Sequence, residues 1–251
     1  MRALLVSDLH YNLPALDWVL AEADDVDLLV VAGDLLDLGS SVPLDTQIVV
    51  ALEYLVRCAA RTTTVVCSGN HDLDHRTDGD EKATGWILEA RAAGAVVDGD
   101  SVEVGGWLVT ACAWWEGPET LGRLEAALAA GAAQRDDRPW LWAFHGPPDG
   151  PLAWTGTKHY GDPELPRLID EHRPDLVLCG HVHEAPFVEG GGWAERRGST
   201  WLLNSGREKT PLFGAGPKVP AHVRLDLDDR TATWSSSIGS DERSLAPTAA
   251  Q

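Results

Sequence analysis

The feature that most restricts the fold is a series of short, nearly uninterrupted apolar runs separated by longer segments of helical spacing. Arg2 to Val6, Asp27 to Ala32, Thr63 to Cys67, Trp107 to Cys112, Trp140 to Phe144, Asp175 to Cys179 and Thr200 to Leu203 read as buried strands. Continuous rather than alternating hydrophobicity marks strands covered on both faces. Between them, Leu13 to Ala23 carries Leu13, Leu16 and Leu20 at helical spacing behind Asn12, a candidate N-cap, with Pro14 in the first turn. Asp45 to Ala60, Glu81 to Ala93, Pro118 to Ala133 and Pro163 to Glu171 are the further helix candidates. Ala221 to Leu227 and Thr231 to Ser236 add strands to the second half. A β-α-β-α-β-α beginning followed by a strand-rich half predicts a layered α/β fold with two sheets. Residues 1–238 are expected to form a single domain, and 239–251, which lack periodicity, a disordered tail.

Charge narrows the partners. Against 20 Lys and Arg stand 39 Asp and Glu, a formal charge of -19, which repels polyanions at a distance. Long duplex nucleic acid and anionic membranes are excluded as partners unless bound cations reverse the sign locally. The four cysteines, Cys58, Cys67, Cys112 and Cys179, have no CxxC spacing and fall mostly in apolar runs, so they read as buried thiols of a reducing compartment. The opening MRALLVSDLHYN lacks an apolar segment of secretory length, and no run of about 18 apolar residues occurs. A soluble cytoplasmic protein is expected; the sequence carries no signature of oligomeric state.

The chemistry is carried by the residues at the strand ends. RALLV runs into Ser7-Asp8-Leu9-His10, DLLVVA into Gly33-Asp34-Leu35-Leu36-Asp37, and TTTVVCS into Gly69-Asn70-His71-Asp72. WLWAF runs into His145-Gly146, and PDLVLC into Gly180-His181-Val182-His183. Carboxyl ends of strands in open α/β sheets are where ligands bind, because loops converge there on a rigid frame. Singly, an Asp after a strand reads as a turn or cap and a lone His as structural. Together, Asp8, His10, Asp34, Asn70, His145, His181 and His183 read as one site. This mixed nitrogen and oxygen set suits Mn²⁺, Fe²⁺ or Zn²⁺, and the absence of a nearby Cys disfavours a thiolate-rich structural zinc site. Seven donors are too many for one ion and suit two, with one carboxylate bridging.

The order D-x-H (Asp8 to His10), G-D-x-x-D (Gly33 to Asp37), G-N-H-D (Gly69 to Asp72), a lone His145 and G-H-x-H (Gly180 to His183) resembles the calcineurin-like metallophosphoesterases. The resemblance implies a two-sheet β-sandwich flanked by helices. It implies that Asp8, His10 and His183 hold a first metal, that Asn70, His145 and His181 hold a second, and that Asp34 bridges them. His71 matches the histidine that assists the leaving group, and Asp37 the carboxylate that pairs with it. Two ions about 3.5–4 Å apart would supply a bridging hydroxide near neutral pH and clamp the phosphoryl oxygens for in-line attack. His71 would act as general acid, oriented by Asp37. Mn is the expected metal, with Fe, Zn, Ni or Co as alternatives.

Departures from the family pattern refine the expectation. Protein phosphatases of the superfamily carry Arg-Gly after the second Asp of G-D-x-x-D; here Asp37 is followed by Leu38-Gly39, so that phosphate grip is missing. The added DNA-binding region and basic stripe of exonuclease members are also missing. FHGPPDG (Phe144 to Gly150) together with CGHVHEAP resembles small bacterial-type phosphodiesterases, some of which act on cyclic nucleotides. The expected substrate is therefore a small phosphodiester or nucleotide, with phosphomonoesterase and nucleotide pyrophosphatase as alternatives. A metal-free protein-binding scaffold is the alternative from another class, and none of the seven donors is replaced as it would require. Among 11 Trp, Trp115 or Trp154 could stack on a base, while Lys158 and Arg207 are candidate phosphate contacts.

Overall fold

The computed structural model describes residues 1–208 and 218–246. In chain order its strands are β1 (Arg2–Val6), β2 (Leu28–Ala32), β3 (Thr63–Cys67), β4 (His75–Arg76), β5 (Lys82–Ala83), β6 (Ser101–Val104) and β7 (Trp107–Cys112). They continue with β8 (Trp140–Phe144), β9 (Leu176–Cys179), β10 (Ala194–Arg197), β11 (Thr200–Asn204), β12 (His222–Asp226), β13 (Thr231–Ser236) and β14 (Gly239–Ser244). The α-helices are α1 (Leu13–Glu22), α2 (Leu44–Ala59), α3 (Pro118–Arg135) and α4 (Leu165–His172).

Among the described residues two six-stranded sheets dominate, with orders β14-β13-β12-β1-β2-β3 and β10-β11-β9-β8-β7-β6. The strand pairs β1 with β2, β2 with β3, β7 with β8, β8 with β9 and β9 with β11 are parallel. The site-bearing ends of β1, β2 and β3 therefore point one way, as do those of β8 and β9.

The two-residue alternation of a strand decides the layering. In β1, Ala3 and Leu5 face the second sheet, joining Val30, Cys67, Val109, Leu141 and Leu178 in the inter-sheet core. Leu4 and Val6 face the other way and meet Leu16, Val19 and Leu20 of α1 and Leu55 of α2. Across the sandwich, Trp140, Trp142 and Val177 pack against Leu124 and Leu128 of α3 and Leu165 and Leu168 of α4. The result is the expected two-sheet sandwich flanked by helices, and both-faced burial explains why its strands read as continuous apolar runs.

Two segments depart from the expectations. Glu81 to Ala93 is not one helix: it gives β5 and then a 3₁₀ segment, Trp86–Ala93. The backbone is committed elsewhere: Lys82 and Ala83 pair antiparallel with Arg76 and His75, and Glu81 O accepts from Thr77 N–H at 2.8 Å. The Glu81 carboxylate accepts from the N–H groups of Glu119 (2.9 Å) and Thr120 (2.8 Å), the unpaired donors at the start of α3. The expected disordered tail begins with a strand instead: β14 pairs antiparallel with β13 from Ser236↔Gly239 to Thr231↔Ser244. Its sequence, GSDERS, is almost wholly exposed, and a charged edge strand of this kind leaves no hydrophobic period to read. Residues 247–251 of that tail lie outside the described residues. All four cysteines are buried and free. No helix among the described residues is long and apolar enough to cross a membrane.

Candidate metal centre

Beyond the last ladder bonds of β1, β2 and β3, the loops pair with one another through the backbone. Asp8 N–H donates to Gly33 O (3.0 Å), His10 N–H to Asp34 O (2.9 Å) and Tyr11 N–H to Leu35 O (2.7 Å). On the second sheet, Gly180 N–H donates to His145 O at 2.9 Å. These bonds hold non-glycine residues in the left-handed region, with φ of 54° at Asp8, 41° at His10, 56° at Asp34 and 69° at His181. Such strain persists only where surrounding structure over-determines it, and it redirects each side chain out of the strand pattern into the cleft. Gly69 and Gly180 permit the close approach. A Cβ at Gly69 would lie 2.2 Å from Asp34 Oδ1, and one at Gly180 2.6 Å from Asp8 Oδ2.

The seven donors fall into two groups. In the first, His10 Nε2 and His183 Nε2 are 3.0 Å apart, and His183 Nε2 is 3.2 Å from Asp8 Oδ1. Ligand atoms of Asp8, His10, Asp34 and His183 all lie within 4.8 Å of one another. In the second, His181 Nδ1 is 2.9 Å from Asn70 Oδ1, and the rings of His145 and His181 are 5.1 Å apart. Asp34 lies between the groups, its Oδ2 3.7 Å from His10 Nε2 and 3.3 Å from His145 Nε2.

The donor set fits cations. His145 donates through Nδ1–H to Ala32 O at 2.7 Å, which turns Nε2 inward, buried and 3.3 Å from Asp34 Oδ2. Burial alone would push the Asp8 carboxyl up, but His183, His145 and His10 hold it well below the usual carboxylate range. Burial opposes Asp34 in the same way, and His145 and His10 hold it down at about 2. Burial pushes His10 down to about 4, and burial with the neighbouring His145 does the same to His181. Against burial, Asp34 holds His145 up at about 9 and Asp8 raises His183, so protons are favoured on these two rings where ionised carboxylates converge on imidazole nitrogens, the charge pattern that a divalent cation would also satisfy.

The remaining predicted residues divide. His71 lies at the site: its N–H donates to Asp34 Oδ1 (2.9 Å), its ring meets His10 edge-on at 4.6 Å, and its Nδ1 is buried without a partner. Asp37 does not pair with it. Its Oδ1 instead accepts from Gly39 N–H at 2.9 Å, a local turn that keeps the carboxylate to its own loop. Arg207 follows β11, its N–H donating to His183 O at 3.0 Å. Burial pulls its guanidinium down, while the charges of Asp8, Asp37 and Asp34 act the other way. Lys158 is exposed in a turn closed by Thr155, which itself lines a cleft with His181 and His183, and its side chain makes no contact with the donors among the described residues.

Trp115 is held at the rim, its indole N–H donating to Asp162 at 2.8 Å, and Trp154 is tied to Glu189 O instead. The tryptophan that touches the donors is Trp114, which is not among the residues expected from sequence to line the cleft. Its ring lies 5.6 Å from His145 and 5.2 Å from His181, with its indole N–H on Glu116 at 2.7 Å. The doublet Trp114-Trp115 directly after β7 is the signal that could have found it. From His181 opens a cleft of about 320 Å³ lined by Trp114, Trp115, Glu116, Tyr160 and Asp162.

The sequence model of calcineurin-like phosphoesterases matches residues 1–185. Solved structures match nearly the whole chain. TT1561 of Thermus thermophilus is 18% identical, with 98% of this chain and 99% of that one covered and a TM-score of 0.57. GAP50, described as the anchor in the inner membrane complex of Plasmodium, is 10% identical over 99% of this chain and 89% of its own, with a TM-score of 0.54. Purple acid phosphatase PPD1 from yellow lupin is 15% identical over 98% of this chain and 51% of its own, with a TM-score of 0.51. At these identities the likeness is one of fold. No curated protein matches the chain.

Proposed function

The chain belongs to the calcineurin-like phosphoesterase family, metal-dependent hydrolases of phosphoric esters, and we propose that its substrate is a small phosphodiester. The observation that carries the reading is the division of the donors into two groups on either side of Asp34. On this reading Asp8, His10 and His183 would hold one ion, Asn70, His145 and His181 the other, and Asp34 would serve both. Mn²⁺ is the proposed metal, because all donors are nitrogen or oxygen and no thiolate competes. Such ions, when bound, polarise the phosphoryl group and lower the pKa of a water.

The protein's own residues do the rest. His71, placed against Asp34 and His10, gives a proton to the departing oxygen. Arg207 stands in for the missing Arg of the protein phosphatases and grips a phosphoryl oxygen from the β11 side. Diester preference rests on the cleft beside His181: its lining is aromatic and acidic, with no Lys or Arg, so it suits an uncharged second ester group and repels further phosphates. This disfavours the pyrophosphatase alternative. Buried free thiols support a reducing, cytoplasmic setting.

Rates on bis-p-nitrophenyl phosphate and p-nitrophenyl phosphate with Mn²⁺ test the reading. The diester is expected to be the better substrate; dominant monoester hydrolysis would overturn the preference. Absence of both activities with no Mn²⁺ uptake would favour a metal-free scaffold.

A further inference from the structure

Asp72 is fully buried and offers nothing to either donor group, yet its carboxylate is saturated. Oδ2 accepts from the N–H groups of Asp34 (2.8 Å) and Gly69 (2.9 Å), and Oδ1 from those of Leu35 (2.9 Å) and Leu36 (3.1 Å). The parallel ladder of β2 and β3 ends at Ala32↔Cys67, so N–H groups beyond it need partners from elsewhere. One side chain supplies four such bonds, three to the loop after β2 and one to the loop after β3. Between those bonds Asp34 sits at φ 56°, a conformation a non-glycine residue adopts only when held. His71 N–H occupies Asp34 Oδ1, which leaves Oδ2 to face His10 and His145.

We propose that Asp72 is a positioning residue whose carboxylate holds the Asp34 backbone so that Oδ2 is aimed between the two donor groups before any ion arrives. The inference rests on the reading of Asp34 as the residue both ions share. An amide cannot replace this carboxylate. Whichever way a side-chain amide turned at this position, its NH₂ would face two backbone N–H groups, either those of Asp34 and Gly69 or those of Leu35 and Leu36.

The test compares Asp72→Asn with Trp86→Phe. Trp86 donates to the Asp72 backbone carbonyl at 2.9 Å, so its loss disturbs the same residue without touching the carboxylate. Metal-stripped proteins are titrated with MnCl₂ by calorimetry, and folding is followed by circular dichroism and Tm. Asp72→Asn is expected to raise the Kd for Mn²⁺ about 10- to 100-fold, the usual range for outer partners of metal ligands, while Trp86→Phe lowers Tm and leaves Kd within about 3-fold. A folded Asp72→Asn that binds Mn²⁺ like wild type overturns the proposal, as does equal weakening by both variants. Wild type that takes up no divalent ion overturns the reading of the whole site, and this inference with it. If Asp72→Asn does not fold, amide exchange in metal-free wild type decides. Protected N–H groups at Asp34, Leu35, Leu36 and Gly69 support the proposal, and exchange at open-loop rates overturns it.

Discussion

The floor of the site and its wall are built on different principles. On the floor, each donor follows a buried parallel strand, its backbone is bonded to the neighbouring loop, and several residues are held at left-handed φ. The wall beside His181 is made of side chains on longer loops, with Tyr160 52% exposed and Trp114 and Trp115 fixed through their indole N–H groups. The floor is preorganised, as transition-state chemistry demands. The wall is partly exposed and carries no donor, as selection among ester groups allows. Changes to the floor should therefore remove chemistry, and changes to the wall should shift preference.

The largest effect is expected on the floor. Asp34→Asn should cut kcat by more than the ~10²–10⁴-fold typical of losing a general acid, because both donor groups lose their shared carboxylate, and Mn²⁺ stoichiometry by calorimetry should fall. An Asp34→Asn variant with full stoichiometry and only a modest rate loss would remove the basis for the comparison. Next, His71→Ala should retain Mn²⁺ and lose ~10²–10⁴-fold in kcat on alkyl esters with poor leaving groups, but far less on p-nitrophenyl esters. Equal loss on both classes would argue against proton transfer by His71.

Gly69→Ala probes rigidity itself. With the new Cβ 2.2 Å from Asp34 Oδ1, urea unfolding should reveal a loss of ~1–3 kcal/mol together with weaker Mn²⁺ binding. A stability equal to wild type would mean the floor yields. On the wall, Tyr160→Ala should raise KM for an aryl or nucleoside diester about 5-fold, the low end for lost stacking, with kcat nearly unchanged. A change confined to kcat would instead assign Tyr160 to the chemistry.

The smallest effect is expected at the joint between floor and wall. Ser68 N–H donates to Asp98 Oδ1 (2.9 Å), and Ser68 Oγ accepts from Trp114 N–H (3.0 Å). Burial pushes the Asp98 carboxyl up to about 6, with the Ser68 hydrogen bonds acting in the opposite direction. The folded state thus holds a proton that the unfolded chain, at about 3.9, releases earlier. Stability from this group is fully present below the unfolded value and is lost as pH rises toward 6. A scan of Tm against pH should display that decline between about 4 and 6, and Asp98→Asn should make it shallower, with buried Asp72, pushed up to about 7 by burial and Asp34, supplying a part that persists.

Legibility divides along similar lines. Asp8, His10, Asp34, Asn70, His145, His181 and His183 can be picked out because strand ends converge and few residue types bind hard or borderline cations. The Glu81 segment reads as helix, wrongly, because its backbone pairs with His75 and Arg76 in a two-stranded hairpin and its carboxylate caps α3, 38 residues away. The strand β14 escapes notice because an exposed edge needs no apolar residue. Asp72 reads only as the last letter of G-N-H-D, with no role of its own, because saturating four backbone N–H groups leaves no mark on composition or period.

By itself the chain's sequence determined the layered α/β order and picked out the polar side chains that meet at the strand ends, since burial on two faces dictates residue type along strands and leaves Asp, Asn and His conspicuous where they stop. Only the tertiary structure decided which donors share a group, that Asp34 lies between them, and that Trp114 rather than Trp115 meets the histidines. It also turned Asp37 onto Gly39. Those outcomes depend on single backbone dihedrals and on bonds between loops distant in sequence, and neither leaves a periodic trace.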